Sequence, residues 1–290
     1  MKTPRQGAAG LAIAAATHAL GLEHPEVTPL EGGVANRSYR LREGPREFVL
    51  RIPGDAARAL GASGRSELAM QSLAAQASLA PRIVLAGPAG AYVVSEFADG
   101  RTPAADAMRE RPMLRRVGAW FARLHALEAP AGIPVVEFGE RAAAYLERAA
   151  PQDPDGRIAR LQRELARRCA ALAPPARIAA CHHDPHRRNF VDDGARILAV
   201  DWEYAGPGDP AADLAACAGY HALGEPAVDA LLEGYGEAGA GAAGVALRAR
   251  IAALAWIFDC LWFGWNAAAA GLGLSPDAVE QSRLAARLGA

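Results

Sequence analysis

Short apolar runs separated by polar turns fill the first third of the chain, and this pattern predicts β-strands. A helical pattern at 64–77, preceded by a serine that can cap it, interrupts the strands, and an alanine-rich run at 10–20 predicts a further helix. The first part of the chain should therefore fold into a small antiparallel sheet with one main helix. The predicted strands lie at 27–30, 38–41, 48–52, 83–85 and 92–97.

Helical periodicity dominates the remaining two thirds of the chain. Two apolar runs of strand length, 178–181 and 197–200, interrupt it, and Asp192-Asp193-Gly194 predicts a tight turn between them. Glycine and proline after Phe97 indicate a hinge. We therefore predict an α+β fold with a small sheet lobe at 1–97 and a mainly helical lobe at 98–290. The predicted helices lie at 114–125, 141–150, 157–172, 211–220 and 247–268.

Composition excludes several classes of protein. The formal net charge of −1 over 290 residues provides no basic excess for nucleic-acid binding. Every apolar stretch of about 20 residues is interrupted by charge, so we expect neither a transmembrane helix nor a membrane partner. The four cysteines are scattered as in a protein of a reducing compartment, and the N-terminal run is a poor signal peptide. We therefore expect a cytoplasmic protein.

Lys2 is the only lysine in the chain. This excludes an interior P-loop lysine and a Schiff-base lysine, so a cation that holds phosphate inside the fold must be arginine. Arg51, in the strand predicted at 48–52, is the main candidate, and Glu67 is its candidate ion-pair partner. The alternatives are that Arg51 faces solvent and that Glu67 serves only the N-terminus of its helix.

Polar residues follow both strands predicted in the second part of the chain. Asp184 comes after the first strand, Asp201 comes after the second, and Asn189 lies between them. Phosphoryl transfer needs positioned charge and a carboxylate that orients a hydroxyl. Asp184 would accept the proton of an alcohol, and Asn189 and Asp201 would hold Mg²⁺, which prefers oxygen ligands. The alternative is a polar loop of a generic α/β protein.

The size of the acceptor follows from the segment after Asp201. A protein kinase needs a long activation segment there to hold a peptide, whereas this chain enters a helix within about ten residues, so the acceptor should be small.

Trp262 and Trp265 lie on one face of a late helix. Aromatic faces hold quaternary ammonium groups, although tryptophans on such a helix also serve as core residues.

These motifs resemble a known superfamily. His182-x-Asp184-x-x-x-x-Asn189, followed by Asp201-Trp202-Glu203-Tyr204-Ala205-Gly206, is similar to the aminoglycoside phosphotransferase / choline kinase superfamily. Within it, the DWEYAG-x-GDP string is most similar to bacterial choline kinases and thiamine kinases. The resemblance spans about 30–265 and implies a protein-kinase-like fold of two lobes that uses ATP and Mg²⁺.

The resemblance also assigns residues to two binding sets. Glycines at a hairpin tip let backbone N–H groups approach phosphate, and backbone groups at the hinge meet adenine. The predicted nucleotide-binding set is Gly32, Gly33, Asn36, Arg51, Glu67, Glu96 and Ala98. The predicted acceptor-binding set is Glu203, Tyr204, Trp262 and Trp265.

The expected reaction is ATP-dependent phosphorylation of a small cationic alcohol, with choline favoured. Thiamine is the first alternative. An aminoglycoside should need a broad acidic cleft, and no acid cluster is apparent in the C-terminal third of the sequence. A nucleotide-binding module without catalysis is the alternative from another class, and the complete set of Asp184, Asn189 and Asp201 argues against it. The sequence leaves open the oligomeric state, regulation and the choice between ATP and GTP.

Overall fold

The structure is a computed structural model of the chain, and it describes residues 7–30, 35–153, 155–236, 242–275 and 277–289. Gly32 and Gly33 lie outside the described residues, so their place in a nucleotide-covering loop stays a prediction. None of the helices in the described ranges combines the length and the apolar character that crossing a bilayer requires.

Five strands of the N-terminal part form one antiparallel sheet in the order β1-β2-β3-β5-β4. Strands β2 and β3 pair along their full lengths around a turn at Gly44, whose φ of +57° suits glycine. All five strands were predicted, and β2 and β3 are longer than the apolar pattern indicated. The strands are β1 (Glu26–Leu30), β2 (Asn36–Glu43), β3 (Arg46–Pro53), β4 (Ile83–Ala86) and β5 (Val93–Glu96).

Three helices accompany this sheet. They are α1 (Ala8–Ala19), α2 (Asp55–Ala59) and α3 (Gly64–Gln76). Ala16 of α1 is buried with Leu41 and Leu50 of the sheet in a small apolar core. Ser63 caps α3 by accepting a hydrogen bond from the backbone N–H of Ser66, as the sequence indicated.

The rest of the chain is mainly helical and contains the larger apolar core. Phe121, Trp202 and Phe258 are among its fully buried side chains. Helices α4 and α8 pack backbone to backbone at Gly118, where an added Cβ would lie 2.1 Å from the carbonyl oxygen of Leu231. The helices are α4 (Arg111–His125), α5 (Phe138–Ala149), α6 (Arg157–Ala171), α7 (Pro210–Tyr220), α8 (Glu225–Tyr235), α9 (Ala242–Gly271) and α10 (Ala278–Leu288).

Four short strands hold the loops that carry the polar motifs. They are β6 (Ala179–Cys181), β7 (Phe190–Asp192), β8 (Ile197–Ala199) and β9 (Gly206–Gly208). The predicted turn at Asp192-Asp193-Gly194 joins β7 to β8, but β6 pairs with β9. Strand β9 was not predicted, because a Gly-Pro-Gly strand has no apolar alternation by which it could be recognised.

The α+β class is confirmed, with a small antiparallel sheet and a mainly helical remainder. Strand β5 ends at Glu96, and α4 begins at Arg111. The division into two lobes between residues 97 and 98 stays a prediction.

Candidate active site

A cleft of about 1350 Å³ lies between the sheet and the helical part of the chain. Every predicted site residue that the structure describes lines it, although these residues come from eight separate segments of the sequence. The lining includes Asn36, Arg51, Glu67, Glu96, Ala98, Asp184, Asn189, Asp201, Glu203, Tyr204, Trp262 and Trp265.

Arg51 lies among three carboxylates at the sheet side of the cleft. It forms the predicted ion pair with Glu67, and its side chain is only 11% exposed, so the solvent-facing alternative is wrong. Its Nη1 lies 3.7 Å from Oδ1 of Asp201 and 3.4 Å from Oε2 of Glu203. Burial opposes the charge of Arg51, but the carboxylates outweigh it and raise the pKa of the guanidinium. Arg51 is thus a fixed cation inside the cleft.

Glu203 joins the sheet to the segment that follows β8. Its Oε2 accepts a hydrogen bond of 2.7 Å from Nδ2 of Asn36, and it faces Arg51. Burial and the charge of Asp201 raise the pKa of Glu203 to about 8. Glu203 was predicted to contact the acceptor, whereas its contacts in the structure are with members of the predicted nucleotide-binding set.

Asp184 lies in the loop after β6, and both oxygens of its carboxylate accept hydrogen bonds. Nδ2 of Asn189 donates to Oδ2 at 2.9 Å, and the hydroxyl of Tyr220 donates to Oδ1 at 2.6 Å. Nδ2 of Asn189 also donates to the backbone carbonyl of Asp184 at 2.9 Å. The side chain remains 15% exposed to the cleft, so an incoming hydroxyl can reach it.

Asp213, in the first turn of α7, holds the loop that carries Asp184. It accepts hydrogen bonds from the backbone N–H groups of His182 and His183 at 2.8 and 2.6 Å, and from Nε2 of His125 at 3.1 Å. Burial alone would raise the pKa of Asp213, but these partners lower it to about 2. Asp213 and His125 therefore hold the backbone of this loop in place.

Asp201 has a backbone conformation that L-residues seldom adopt, with a φ of +61°. Its Oδ1 is buried and has no hydrogen-bond donor among the residues that the structure describes. Because the amide nitrogen of Asn189 is turned toward Asp184, the amide oxygen of Asn189 is left available. Carboxylate and amide oxygens are ligands of the kind that Mg²⁺ prefers, so the residues present fit a magnesium site.

Aromatic side chains form the opposite end of the cleft. Nε1 of Trp265 donates a hydrogen bond of 2.9 Å to the hydroxyl of Tyr204, and Trp262 is 5.9 Å from the guanidinium of Arg283. The guanidinium of Arg141 lies 5.3 Å from the centroid of the Tyr204 ring. Two members of the predicted acceptor-binding set therefore already make cation–π contacts within the protein.

Two carboxylates from α10 and its N-cap also line the cleft. They belong to Asp277 and Glu280, and Oε1 of Glu280 accepts a hydrogen bond of 2.6 Å from Arg283. The sequence reasoning did not assign these two acids to the site. Helix α10 folds back beside α9, and local periodicity does not predict such a long-range contact.

Tyr220 and Arg141 are site residues that the sequence reasoning missed. Tyr220 had been regarded only as the end of a helix. Because Tyr220 follows Asp213 by seven residues, or two helical turns, both lie on one face of α7, and this spacing could have pointed to it. Arg141 lies on an amphipathic helix, and no sequence pattern distinguishes it from the other polar residues of that helix.

Comparison with known proteins places the chain in a family. Residues 26–254 match the family model APH, described as the phosphotransferase enzyme family, and this match covers most of the chain. The chain belongs to the phosphotransferase enzyme family. The predicted superfamily is thereby confirmed.

Individual relatives support the same assignment. The thiamine kinase of Shigella boydii serotype 4 is 29% identical over 202 residues, which are 67% of this chain and 65% of the relative. The chain thus spans just under two thirds of the length of the thiamine kinases that it matches.

Solved structures also resemble the fold. A choline/ethanolamine kinase family protein from Mesorhizobium loti is 26% identical with a TM-score of 0.73, covering 92% of this chain and 87% of that protein. The choline kinase LicA from Streptococcus pneumoniae is 19% identical with a TM-score of 0.77, covering 96% and 97% of the two chains. The latter likeness concerns the fold alone. Together they confirm the predicted protein-kinase-like fold.

Proposed function

We propose that this protein transfers the γ-phosphoryl group of ATP to the hydroxyl of a small cationic alcohol, with choline as the first candidate. The observation that carries the proposal is the meeting of Asp184, Asn189 and Asp201 in one cleft with the ion pair of Arg51 and Glu67. Membership of the phosphotransferase enzyme family supports the same chemistry.

Each group in the cleft has a role in this proposal. Asp184 accepts the proton of the acceptor hydroxyl and orients its oxygen toward the phosphorus. Arg51 binds phosphate oxygens and is held for that purpose by Glu67. Asn189 and Asp201 would hold Mg²⁺, which neutralises phosphate charge when it is bound.

Backbone groups of the predicted hinge support a binding place for the adenine of ATP. Strand β5 ends at Glu96, and the backbone N–H of Ala98 has no acceptor among the described residues. A backbone donor on the cleft wall suits a nitrogen atom of the adenine edge. In this proposal the base lies against the end of β5 and the phosphates extend toward Arg51.

The opposite end of the cleft supports a cationic acceptor. Tyr204, Trp262 and Trp265 provide aromatic surface there, and Asp277 and Glu280 add negative charge. The likeness to a choline/ethanolamine kinase family protein favours choline. Thiamine is the second candidate, since the relatives of similar sequence are thiamine kinases.

A test of the activity is ADP release by the purified protein with ATP and Mg²⁺. Choline, ethanolamine, thiamine and an aminoglycoside should be supplied at matched concentrations. We expect turnover with choline, whereas faster turnover with thiamine would transfer the acceptor assignment to thiamine. No turnover above background with a broad panel of alcohols would overturn the proposal and favour the nucleotide-binding module without catalysis.

A test of the role of Asp184 is the substitution Asp184→Asn. It should lower kcat by at least about a thousandfold while ATP binding, measured by calorimetry, changes little. Asp193→Asn is the matched control, because Asp193 lies in the exposed β7–β8 turn, where it accepts hydrogen bonds from Ala195 and Arg196. An Asp184→Asn variant as active as this control would contradict the assigned role.

A further inference from the structure

Tyr220 is the last residue of α7 and contacts both Asp184 and the aromatic surface at Trp262. Its hydroxyl donates to Oδ1 of Asp184 at 2.6 Å. Its ring meets the ring of Trp262 edge-on, with 4.6 Å between centroids, and the ring of Phe258 in the same manner at 4.8 Å. The ring of His186 lies on a third side of the Tyr220 ring, with 5.6 Å between centroids and the two rings nearly perpendicular.

Close packing fixes the position of this ring. A Cβ added to Gly219 would lie 2.5 Å from the ring of Phe258, so Phe258 packs directly against the α7 backbone beside Tyr220. Edge-to-face contacts at these distances have defined geometry. The tyrosine is therefore held from three sides, and its hydroxyl has a fixed place.

The hydrogen bonds at Asp184 restrict how an acceptor can approach. An ionised carboxylate offers about four acceptor positions, two on each oxygen. Asn189 uses one on Oδ2, and Tyr220 uses one on Oδ1. One position remains on each oxygen, since Nε2 of His186, at 3.6 Å from Oδ2, is beyond hydrogen-bond distance. With both oxygens held, the carboxylate cannot rotate freely about its own axis.

We propose that Tyr220 is a positioning residue, which fixes the carboxylate of Asp184 relative to the aromatic surface at Trp262. This inference rests on the proposed function. An acceptor that packs against Trp262 then presents its hydroxyl to the open position on Asp184 at a distance set by one rigid side chain. Tyr220 does not itself carry the proton. Burial and the charge of Asp184 raise the pKa of its hydroxyl well above the ordinary value, so it remains a donor.

The substitution Tyr220→Phe tests this role because it keeps the ring and removes only the hydroxyl. We expect kcat to fall by roughly tenfold or more, since a hydrogen bond to a charged group is lost, while the KM values for ATP and for the acceptor change less than about threefold. Tyr39→Phe is the control. Tyr39 lies in β2, packs against the small apolar core of the sheet and does not line the cleft, so we expect kcat to stay within about twofold.

A double-mutant cycle distinguishes positioning from a general structural effect. If Tyr220 acts through the carboxylate, Tyr220→Phe should not lower the residual kcat of Asp184→Asn any further. An additive loss in the double variant, an unchanged kcat in Tyr220→Phe, or a loss confined to the KM for the acceptor would each overturn the inference. A wild-type protein without turnover would overturn both the proposed function and this inference, whereas a normal rate in Tyr220→Phe would overturn the inference alone.

Discussion

At the scale of single residues, Asp213 shows how a buried carboxylate can hold the loop of a proposed active site without lining the cleft. It is fully buried, and three donors from the Asp184 loop and from α4 converge on it. A buried acid is stabilising only when its charge is met by such donors. The loop conformation, which includes a φ of +65° at His183, is thus maintained by one side chain of α7.

The linkage between the charge of Asp213 and folding gives a prediction for acid stability. The pKa of Asp213 is lowered from 3.8 to about 2 in the folded protein. Because the folded state favours the ionised form, the resulting stabilisation is present above about pH 4 and is lost as pH falls toward 2. Asp213→Asn should lower the free energy of unfolding by about 3 kcal/mol at pH 7.

Urea unfolding of both proteins checks this prediction. The difference between wild type and Asp213→Asn should shrink by about 2 kcal/mol between pH 7 and pH 2.5, because the wild type loses the charge that the variant never had. A difference that stays constant over this range would show that the charge of Asp213 is not coupled to folding.

At the scale of elements, the packing of α4 on α8 depends on two glycines. An added Cβ at Gly118 would lie 2.1 Å from the carbonyl oxygen of Leu231, and one at Gly234 would lie 2.0 Å from that of Arg115. These neighbours are backbone atoms, so they cannot move aside as a flexible side chain would. Helix α4 also carries His125, so the contact helps to position the support of the catalytic loop.

The substitution Gly118→Ala should therefore destabilise the protein by about 3 kcal/mol or more, although alanine has the higher helix propensity. Gly64→Ala in the first turn of α3 is the control, since the nearest atom to its added Cβ is 4.0 Å away. Thermal unfolding should show a lower Tm for the first variant and an equal or higher Tm for the second. Equal Tm values for the two variants would contradict the proposed close approach.

Helix α10 places a positive charge of the protein beside Trp262, one of the aromatic residues that line the cleft. The guanidinium of Arg283 lies 5.9 Å from the Trp262 ring and is neutralised in part by Glu280. Arg283→Ala should lower the KM for choline several-fold, because it exposes the ring face and leaves Glu280 without its partner. Steady-state kinetics with choline measures this effect.

Arg168→Ala is the matched control for that experiment. Arg168 makes the same type of contact with another tryptophan of α9, Trp256, at 4.5 Å, and Trp256, unlike Trp262, does not line the cleft. Its substitution should leave the KM for choline unchanged. A KM that rises in Arg283→Ala would instead show that this arginine contributes to binding the acceptor.

At the scale of the whole molecule, the sequence predicted local features well and long-range contacts poorly. The Arg51–Glu67 pair could be predicted, because with one lysine in the chain an interior cation must be arginine, and Arg51 interrupts an apolar strand. Strand β9 and the return of α10 to the cleft could not be predicted, since both depend on contacts between distant segments. The contact between Glu203 and Asn36 could not be predicted for the same reason, because the two residues are 167 positions apart.

The contact between Glu203 and Asn36 also shows how the sheet is joined to the helical part. Arg51 reaches across the cleft from β3 to Asp201 and Glu203, so the sheet side and the loop after β8 share one buried network of charges. In this network Oδ1 of Asp201 has no hydrogen-bond donor among the described residues. Its distance from Nη1 of Arg51 is 3.7 Å, which is too long for a hydrogen bond. A buried carboxylate oxygen that lacks a donor is unfavourable until a cation approaches it.

Ligand binding should therefore stabilise the whole molecule through Asp201. A ligand that binds only the folded state raises the free energy of unfolding by about 2.7 kcal/mol when its concentration is 100 times its Kd. ATP with Mg²⁺ should raise the Tm of the wild type and of Asp184→Asn by similar amounts, because Asp184 acts on the acceptor. It should raise the Tm of Asp201→Asn far less, since the charge that attracts Mg²⁺ is gone.

Thermal unfolding with Mg²⁺ alone, ATP alone and both together separates these contributions. An equal rise in Asp201→Asn and wild type would show that this carboxylate does not take part in binding the metal–nucleotide complex, whatever the acceptor is.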